Sequence, residues 1–175
     1  MSLWGVGTNT EKKPTWLNDE DKKRTFADDR GWVYRHPDGN EEVLVAIGEL
    51  AGTDDSTRLA APTVDGVEFA NASVTDGDTL VLNVYYNEPV TVTGTPQVPV
   101  AGITASTMDY ASGSSDPTRG WLAFTVDTTG ETGNTVTVAA DASIGLNSGT
   151  ITDETDGSTA AELGLNNAEL TASIA

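Results

Sequence analysis

The sequence has 175 residues, no cysteine, one histidine and a formal net charge of −18 at pH 7. The lack of cysteine excludes disulfides and thiolate metal sites, and the single histidine, His36, excludes histidine-rich metal sites and argues against a histidine-based catalytic triad. The negative charge argues against binding to nucleic acid or anionic membranes, because contacts with phosphates need lysine and arginine, and it favours solubility.

The opening of the chain does not have the composition of a secretory signal. Residues 1–5 (MSLWG) lead into polar residues, without the apolar stretch of ~7–15 residues that a signal peptide carries. No apolar run approaches the ~20 residues that span a bilayer. We therefore expect synthesis in a cytoplasm and retention there until assembly.

Charge and tryptophan divide the chain into two unlike parts. Eight of the nine basic residues and three of the four tryptophans lie in the first 60 residues, and Arg119 is the only basic residue beyond them. A polar, turn-rich stretch at 52–57 separates the parts. We predict an N-terminal attachment arm over residues 1–60 and a second domain over 61–175.

The arm has few elements of its own. Residues 18–21 (NDED) could cap a short helix running to Phe26, with acidic residues in the first turn and basic residues later. Residues 31–36 and 41–47 flank Pro37-Asp38-Gly39-Asn40, a turn sequence that predicts a β-hairpin. Because a lone hairpin is marginal in water, we expect it to pack on the second domain or on another subunit.

The second domain reads as short strands between turns. In residues 79–86, alternate positions place Leu80, Leu82, Val84 and Tyr86 on one face of a strand, and in residues 121–126 they place Leu122, Phe124 and Val126 on one face. Further candidate strands are 64–69, 90–92, 97–100, 108–110, 135–138, 144–146 and 169–174, and residues 160–163 allow one helical turn at most. The pattern predicts an all-β, antiparallel β-sandwich.

Acidic groups offer weak candidates for chemistry. Residues 153–157 (DETDG), with Asp127, Glu131 or Asp141, could ligate Ca²⁺ through carboxylates and loop carbonyls, but the spacing lacks the calcium-loop pattern. Carboxylate pairs such as Asp54-Asp55 arise by chance among 27 acidic residues. The chain carries no phosphate-binding loop and no nucleophile elbow. We expect no enzyme, no metal and no cofactor.

Tryptophans of the arm are candidates for a protein interface, where aromatic residues are enriched. We assign Trp4 and Trp16 to such an interface and Trp32 to the core of the hairpin, with sugar stacking as the alternative. Arg119, isolated in the acidic domain beside Trp121, is interpreted as a loop cation near the ring.

Two segments of the chain resemble known families. Residues 1–5 (MSLWG), 13–17 (KPTWL), 31–33 (GWV) and 43–48 (VLVAIG) resemble small virion structural proteins of T4-like marine phages, particularly cyanophages. Residues 82–96 (LNVYYNEPVTVTGTP), 108–113 (MDYASG), 122–126 (LAFTV) and 151–157 (ITDETDG) resemble bacterial immunoglobulin-like domains. The first resemblance implies a shared docking element at the N-terminus, and the second implies an immunoglobulin-like sandwich behind an extended arm with a hairpin.

These observations predict a virion structural protein, a capsid decoration or accessory protein that docks through its arm. The expected partners are other virion proteins, either the major capsid protein or a tail or neck protein, and a homo-oligomer is a further option. The alternatives are a tail, neck or fibre component, or a glycan-binding module for host-surface attachment. The predicted interface residues are Trp4, Lys12, Lys13, Trp16, Lys22, Lys23 and Arg24.

Overall fold

The N-terminal part of the chain folds as a short helix and a three-stranded antiparallel sheet. A computed structural model describes residues 12–51 and 59–175, so the predicted boundary at 52–57 lies outside the described residues. Helix α1 (Asp19–Lys23) precedes strands β1 (Thr25–Asp28), β2 (Gly31–Arg35) and β3 (Glu41–Ala46), which pair in the order β1-β2-β3. The predicted hairpin is confirmed as β2 and β3, and Gly39 supplies the left-handed φ of 89° that the turn needs.

Helix α1 is shorter than the sequence pattern predicts. The Asn18 side chain caps it by accepting a hydrogen bond from the Asp21 amide at 2.8 Å. The predicted continuation to Phe26 is wrong, because Thr25 and Phe26 pair with Tyr34 and Val33 as strand β1. Within residues 12–51, helix and sheet therefore occupy much of the segment that was predicted to be an extended arm.

One layer of the second part is a five-stranded antiparallel sheet. The strands lie in the order β4-β6-β10-β9-β8. Their bounds are β4 (Val64–Phe69), β6 (Thr79–Tyr86), β8 (Gln97–Pro99), β9 (Thr107–Tyr110) and β10 (Trp121–Asp127). The central pair β6 and β10 runs in register from Thr79–Asp127 to Tyr85–Trp121, so both alternating patterns read from the sequence are confirmed as strands.

The opposite layer consists of two smaller sheets. One has the order β11-β13-β5, with β13 and β5 parallel, and the other pairs β12 with β7 antiparallel. Their bounds are β5 (Ser73–Val74), β7 (Val90–Thr93), β11 (Thr135–Val138), β12 (Thr150–Asp153) and β13 (Leu170–Ile174). The chain is thus nearly all β, with mostly antiparallel sheets in a sandwich-like arrangement.

The core lies between these layers. Leu80, Leu82, Val84, Leu122 and Phe124 are fully buried from the large sheet. They join one apolar cluster with the inward residues of the opposite layer, which include Val136, Val138, Ile151, Ala172 and Ile174. A second, smaller cluster under the N-terminal sheet contains Ala27, Trp32, Leu50, Ala51 and Leu59. Trp32 is therefore a core residue, as predicted.

Two short segments differ from the sequence-based prediction. Residues 144–146 form only an isolated bridge, from Gly145 to Gln97, in place of a strand. Ala160 bridges to Thr152 and residues 160–163 form no helical turn. In both places a few backbone hydrogen bonds, such as Ile144 to Leu163 and Ala161 to Ile151, hold the chain in place of a continuous strand ladder.

Replacing Phe124 by Ala is expected to lower the free energy of unfolding by ~3–5 kcal/mol, because it empties a fully buried aromatic site. Urea unfolding of the full chain measures this change. Val43→Ala is the control, since Val43 is 40% exposed and its loss should cost less than ~1 kcal/mol. A cost below ~1 kcal/mol for Phe124→Ala would contradict its place in the core.

Candidate functional site

The predicted interface residues occupy different environments. Trp4 lies outside the described residues. Trp16 is 52% exposed, and Lys12 and Arg24 are exposed as well, whereas Lys22 and Lys23 are half-buried and Lys13 is buried. The structure therefore leaves Lys12, Trp16 and Arg24 open to solvent and turns Lys13 inward.

Lys13 ties the N-terminal segment to the sandwich. Its ammonium donates a hydrogen bond to the Lys22 carbonyl at 2.7 Å and lies 2.8 Å from a carboxylate oxygen of Asp65 on β4. Burial lowers the pKa of Lys13, and the neighbouring Asp65 carboxylate offsets only part of that effect. A buried cation that is paired in this way fixes the segment from residue 13 to helix α1 against the large sheet.

Lys23 makes a second tie between helix α1 and the sandwich. Its ammonium pairs with Glu20 within the helix, at 3.1 Å, and with Glu68 on β4. Burial opposes the charge on Lys23, but the hydrogen bonds to Glu68 and Glu20 raise its pKa overall. The other oxygen of Glu68 accepts a hydrogen bond from the Tyr85 hydroxyl at 2.9 Å.

Asn87 connects strand β1 to the same side of the sandwich. Its carbonyl accepts a hydrogen bond from the Ala27 amide at 2.8 Å, and its side chain accepts one from the Thr63 amide at 2.8 Å. Asn87 is 4% exposed. The Asn-Glu-Pro-Val stretch at 87–90, part of the segment that resembles immunoglobulin-like domains, thus begins with a residue that connects the two parts.

A network of alternating charges links the hairpin to the sandwich. Asp116 accepts hydrogen bonds from Arg35 on β2 and from Arg119 on the sandwich, each at 2.9 Å. Arg119 also donates to Glu41 on β3 at 2.9 Å. The network continues from Glu41 to Arg30 and from Arg30 to Asp28. Arg119, isolated in the sequence, therefore reaches across to the hairpin.

The network lowers the pKa of two of its carboxylates, those of Glu41 and Asp116. Hydrogen bonding from Arg30 lowers the pKa of Glu41 against the opposing effect of burial, and Arg119 lowers it further. Burial alone would raise the pKa of Asp116, but Thr118, Arg119 and Arg35 together lower it. Both carboxylates are thus held in their charged form.

A cleft of about 280 Å³ lies where these contacts meet. We call it the arginine cleft. Four basic side chains line it, together with two acidic and several aromatic ones: Lys23, Arg24, Arg35, Arg119, Glu20, Glu68, Phe26, His36, Tyr85 and Trp121. Arg24 is exposed and, within residues 12–51 and 59–175, takes part in no ion pair.

One wall of the arginine cleft is aromatic. Tyr85 and Trp121 are cross-strand partners on β6 and β10, and both are half-buried on the outer face of the large sheet, since their neighbours Val84 and Leu122 point into the core. The Trp121 indole donates to the Asn83 side chain at 3.2 Å, which helps to fix the ring. Burial, and then Glu68, raises the pKa of Tyr85, so its hydroxyl keeps its proton.

The acidic turn at 153–157 uses its carboxylates to close the loop. Asp153 accepts a hydrogen bond from the Thr155 amide at 2.7 Å, and Asp156 accepts from the Ser158 and Thr159 amides. Glu131 likewise accepts from the Thr104 amide at 2.8 Å. In the described ranges, no group of three or more histidine, cysteine, aspartate or glutamate side chains is placed to hold a metal ion.

The arginine cleft was not predicted from the sequence. Its residues come from five separate places in the sequence, namely 20–26, 35–39, Glu68, Tyr85 and 119–121, which only the folded chain brings together. The one local signal was Arg119 beside Trp121 in a domain otherwise lacking basic residues.

Lys13→Met is expected to lower the free energy of unfolding by ~1–3 kcal/mol, because it leaves Asp65 and the Lys22 carbonyl without their buried donor. The matched control is Lys12→Met, which removes the same charge from the adjacent exposed position and should change stability by no more than ~0.5 kcal/mol. Urea unfolding of both variants decides between them, and equal effects would argue against a structural role for Lys13.

The charge network should make stability depend on pH in the acidic range. Carboxylates with a lowered pKa contribute stability that is complete above the ordinary carboxyl pKa of about 4 and is lost as the pH falls through the lowered value. Arg119→Gln removes a partner of both Glu41 and Asp116. We expect this variant to be less stable than the parent at pH 7, with a difference that shrinks towards pH 3.

Unfolding of the parent, Arg119→Gln and Arg24→Gln at several pH values tests this expectation. Arg24 is the control because, in the part of the chain described, it joins no ion pair. A destabilisation by Arg119→Gln that stays constant between pH 7 and pH 3 would show that the guanidinium acts by packing and not by charge.

Comparisons with known proteins identify no relative of this chain, so the function has to be inferred from its residues and their geometry. No protein-family model, curated protein or solved structure matches the chain. Among the helices of residues 12–51 and 59–175, none has the length and apolar character that crossing a bilayer demands.

Proposed function

We propose that this protein is a non-enzymatic structural or accessory protein of a tailed-phage virion. It attaches to another virion protein through the N-terminal surface around Trp16, and the acidic sandwich projects from the particle. The resemblance of residues 1–5, 13–17, 31–33 and 43–48 to small virion proteins supports the setting, and the exposure of Trp16 supports the surface.

The observation that carries this proposal is the position of Trp16. It is 52% exposed although it lies between two anchored elements, the buried Lys13 and the capped helix α1. A large indole held partly in water on a fixed segment loses little further conformational entropy when a partner covers it. Tryptophan is one of the residue types enriched among the side chains that dominate binding energy.

The negative charge of the sandwich is consistent with a domain that projects from the particle into solvent. The sandwich carries 15 acidic residues beyond residue 60 and a single basic one, Arg119. Neighbouring copies with this charge repel each other, which keeps them soluble and separate. We assign no catalytic residue and no cofactor to the chain.

The partner is another virion protein, and its identity fixes the position on the particle. Attachment to the major capsid protein makes the chain a decoration protein, whereas attachment to a tail or neck protein makes it a tail, neck or fibre component. Cross-linking of bound chain to the particle, followed by identification of the linked protein, distinguishes these outcomes.

Trp16→Ala is expected to weaken binding to phage particles assembled without this protein by about tenfold or more, the size of effect seen when an interface tryptophan is removed. Val43→Ala is the matched control, since Val43 is the other large apolar side chain exposed in the described residues. Co-sedimentation titrations measure both affinities, and urea unfolding checks that neither variant loses its fold. Undiminished binding by Trp16→Ala would place the interface elsewhere, on the sandwich.

A further inference from the structure

The arginine cleft gathers the positive charge of an acidic protein in one place. Eight basic residues lie in the described ranges, and four of them, Lys23, Arg24, Arg35 and Arg119, line this cleft. The chain as a whole carries a net charge of −18. We propose that the arginine cleft is a binding site for an anionic saccharide, a sugar unit that carries a carboxylate.

The state of the four cations defines the charge of the ligand. Arg35 and Arg119 already share Asp116, and Lys23 is paired with Glu20 and Glu68. Arg24 alone has its guanidinium uncommitted among the described residues. A planar guanidinium binds one carboxylate through two parallel hydrogen bonds, so the cleft has room for a single ligand charge at this position.

The remaining polar groups of the cleft are better suited to bind hydroxyls of the ligand than further charged groups of the ligand. The carboxylates of Glu20 and Glu68 lie in the lining and can accept hydrogen bonds from sugar hydroxyls, while the guanidiniums donate to them. The same carboxylates repel an acidic peptide, which brings a negative charge at nearly every residue. A ring with one carboxylate and several hydroxyls therefore fits the cleft, and an acidic peptide does not.

The aromatic wall and the size of the cleft also favour a sugar ring as the ligand. Tyr85 and Trp121 stand side by side on adjacent strands, and aromatic side chains of this kind combine an apolar face with a polar tip. Such a face can cover the C–H groups of a sugar ring. The volume of about 280 Å³ is near the lower end of small-molecule sites, which span ~300–1,000 Å³, and it suits one or two rings.

The cleft is also fixed before any ligand arrives. Its walls come from both parts of the chain, and the ion pairs of Arg35, Arg119 and Lys23 hold them together. Pre-formed walls reduce the entropy lost on binding. Trp16 does not line the cleft, so this inference goes beyond the proposed attachment to virion proteins and can fail or succeed separately.

The test is a calorimetric titration of the full chain with galacturonate, a sugar ring with one carboxylate, with its methyl ester and with hexaglutamate. We expect galacturonate to bind, and the ester, which has the same ring without the charge, to bind at least about tenfold more weakly. A hydrogen bond to a charged group is worth roughly this factor or more. Hexaglutamate should bind no better than the esterified sugar.

Two variants then locate the site. Arg24→Gln should weaken galacturonate binding by about tenfold or more, and Lys12→Gln, which removes one exposed positive charge outside the arginine cleft, should change it less than about twofold. Arg24→Lys keeps the charge but loses the fork, and we expect it to restore the affinity only in part.

Several results would overturn the inference. Absence of galacturonate binding at millimolar concentration would do so, as would equal affinity for the charged and esterified sugars. Equal losses in Arg24→Gln and Lys12→Gln would indicate a general charge effect, and tighter binding of hexaglutamate would indicate an acidic peptide as the ligand.

Discussion

The carboxylate of Asp116 accepts hydrogen bonds from two guanidiniums, one on the hairpin and one on the sandwich. Each of these pairs is partly exposed, and an isolated pair of this kind contributes little to stability. Here, however, the pairs share atoms and continue through Glu41 and Arg30, so that ordering one side chain also orders the next. The placement of the hairpin, and with it the shape of the arginine cleft, depends on this carboxylate.

Several basic side chains of the N-terminal part pair with the sandwich in the folded chain, although the sequence predicted that they bind a partner. The excess of lysine and arginine before residue 60 was interpreted as a surface for a partner. The structure pairs Lys13 with Asp65, Lys23 with Glu68 and Arg35 with Asp116, so these three cations neutralise acidic residues of the sandwich. Arg24, Lys12 and Trp16 are the predicted interface residues that stay exposed to solvent in the part of the chain described.

Much of the fold could be predicted because strands that bury one face alternate in sequence. The alternation in β6 and β10 reaches full burial at Leu82 and Phe124, and the turn at Pro37–Asn40 identified the hairpin. Strands β1, β5 and β12 escaped prediction, and β5 has only two residues. In β12 the residues facing inward are Ile151 and the acidic Asp153, so the apolar period is broken, and in β1 a capped helix immediately before it masks the start of the strand.

The arginine cleft could not be predicted for a further reason. Contacts such as that between Arg35 and Asp116 join residues 81 positions apart, and no local sequence pattern predicts them. Periodicity reports which face of an element is buried, but it carries no information on which outer faces meet. The outer face of the large sheet, with Tyr85 and Trp121, acquires its role only through the hairpin that lies beside it.

The distribution of local and distant pairings also orders the events of folding. Strands β1, β2 and β3 are joined by tight connections, and hairpins of this kind form within ~1–10 μs. Strand β7 must find β12, and β5 must find β13, across much of the chain, and such distant pairings are slow because long loops have to close first. On the ribosome the N-terminal sheet emerges before Asp116 and Arg119 have been synthesised, so it can form before the sandwich residues that pair with it are present. The contacts between the N-terminal sheet and the sandwich consequently form late in folding. Their ion pairs therefore affect the rate of unfolding more than the rate of folding.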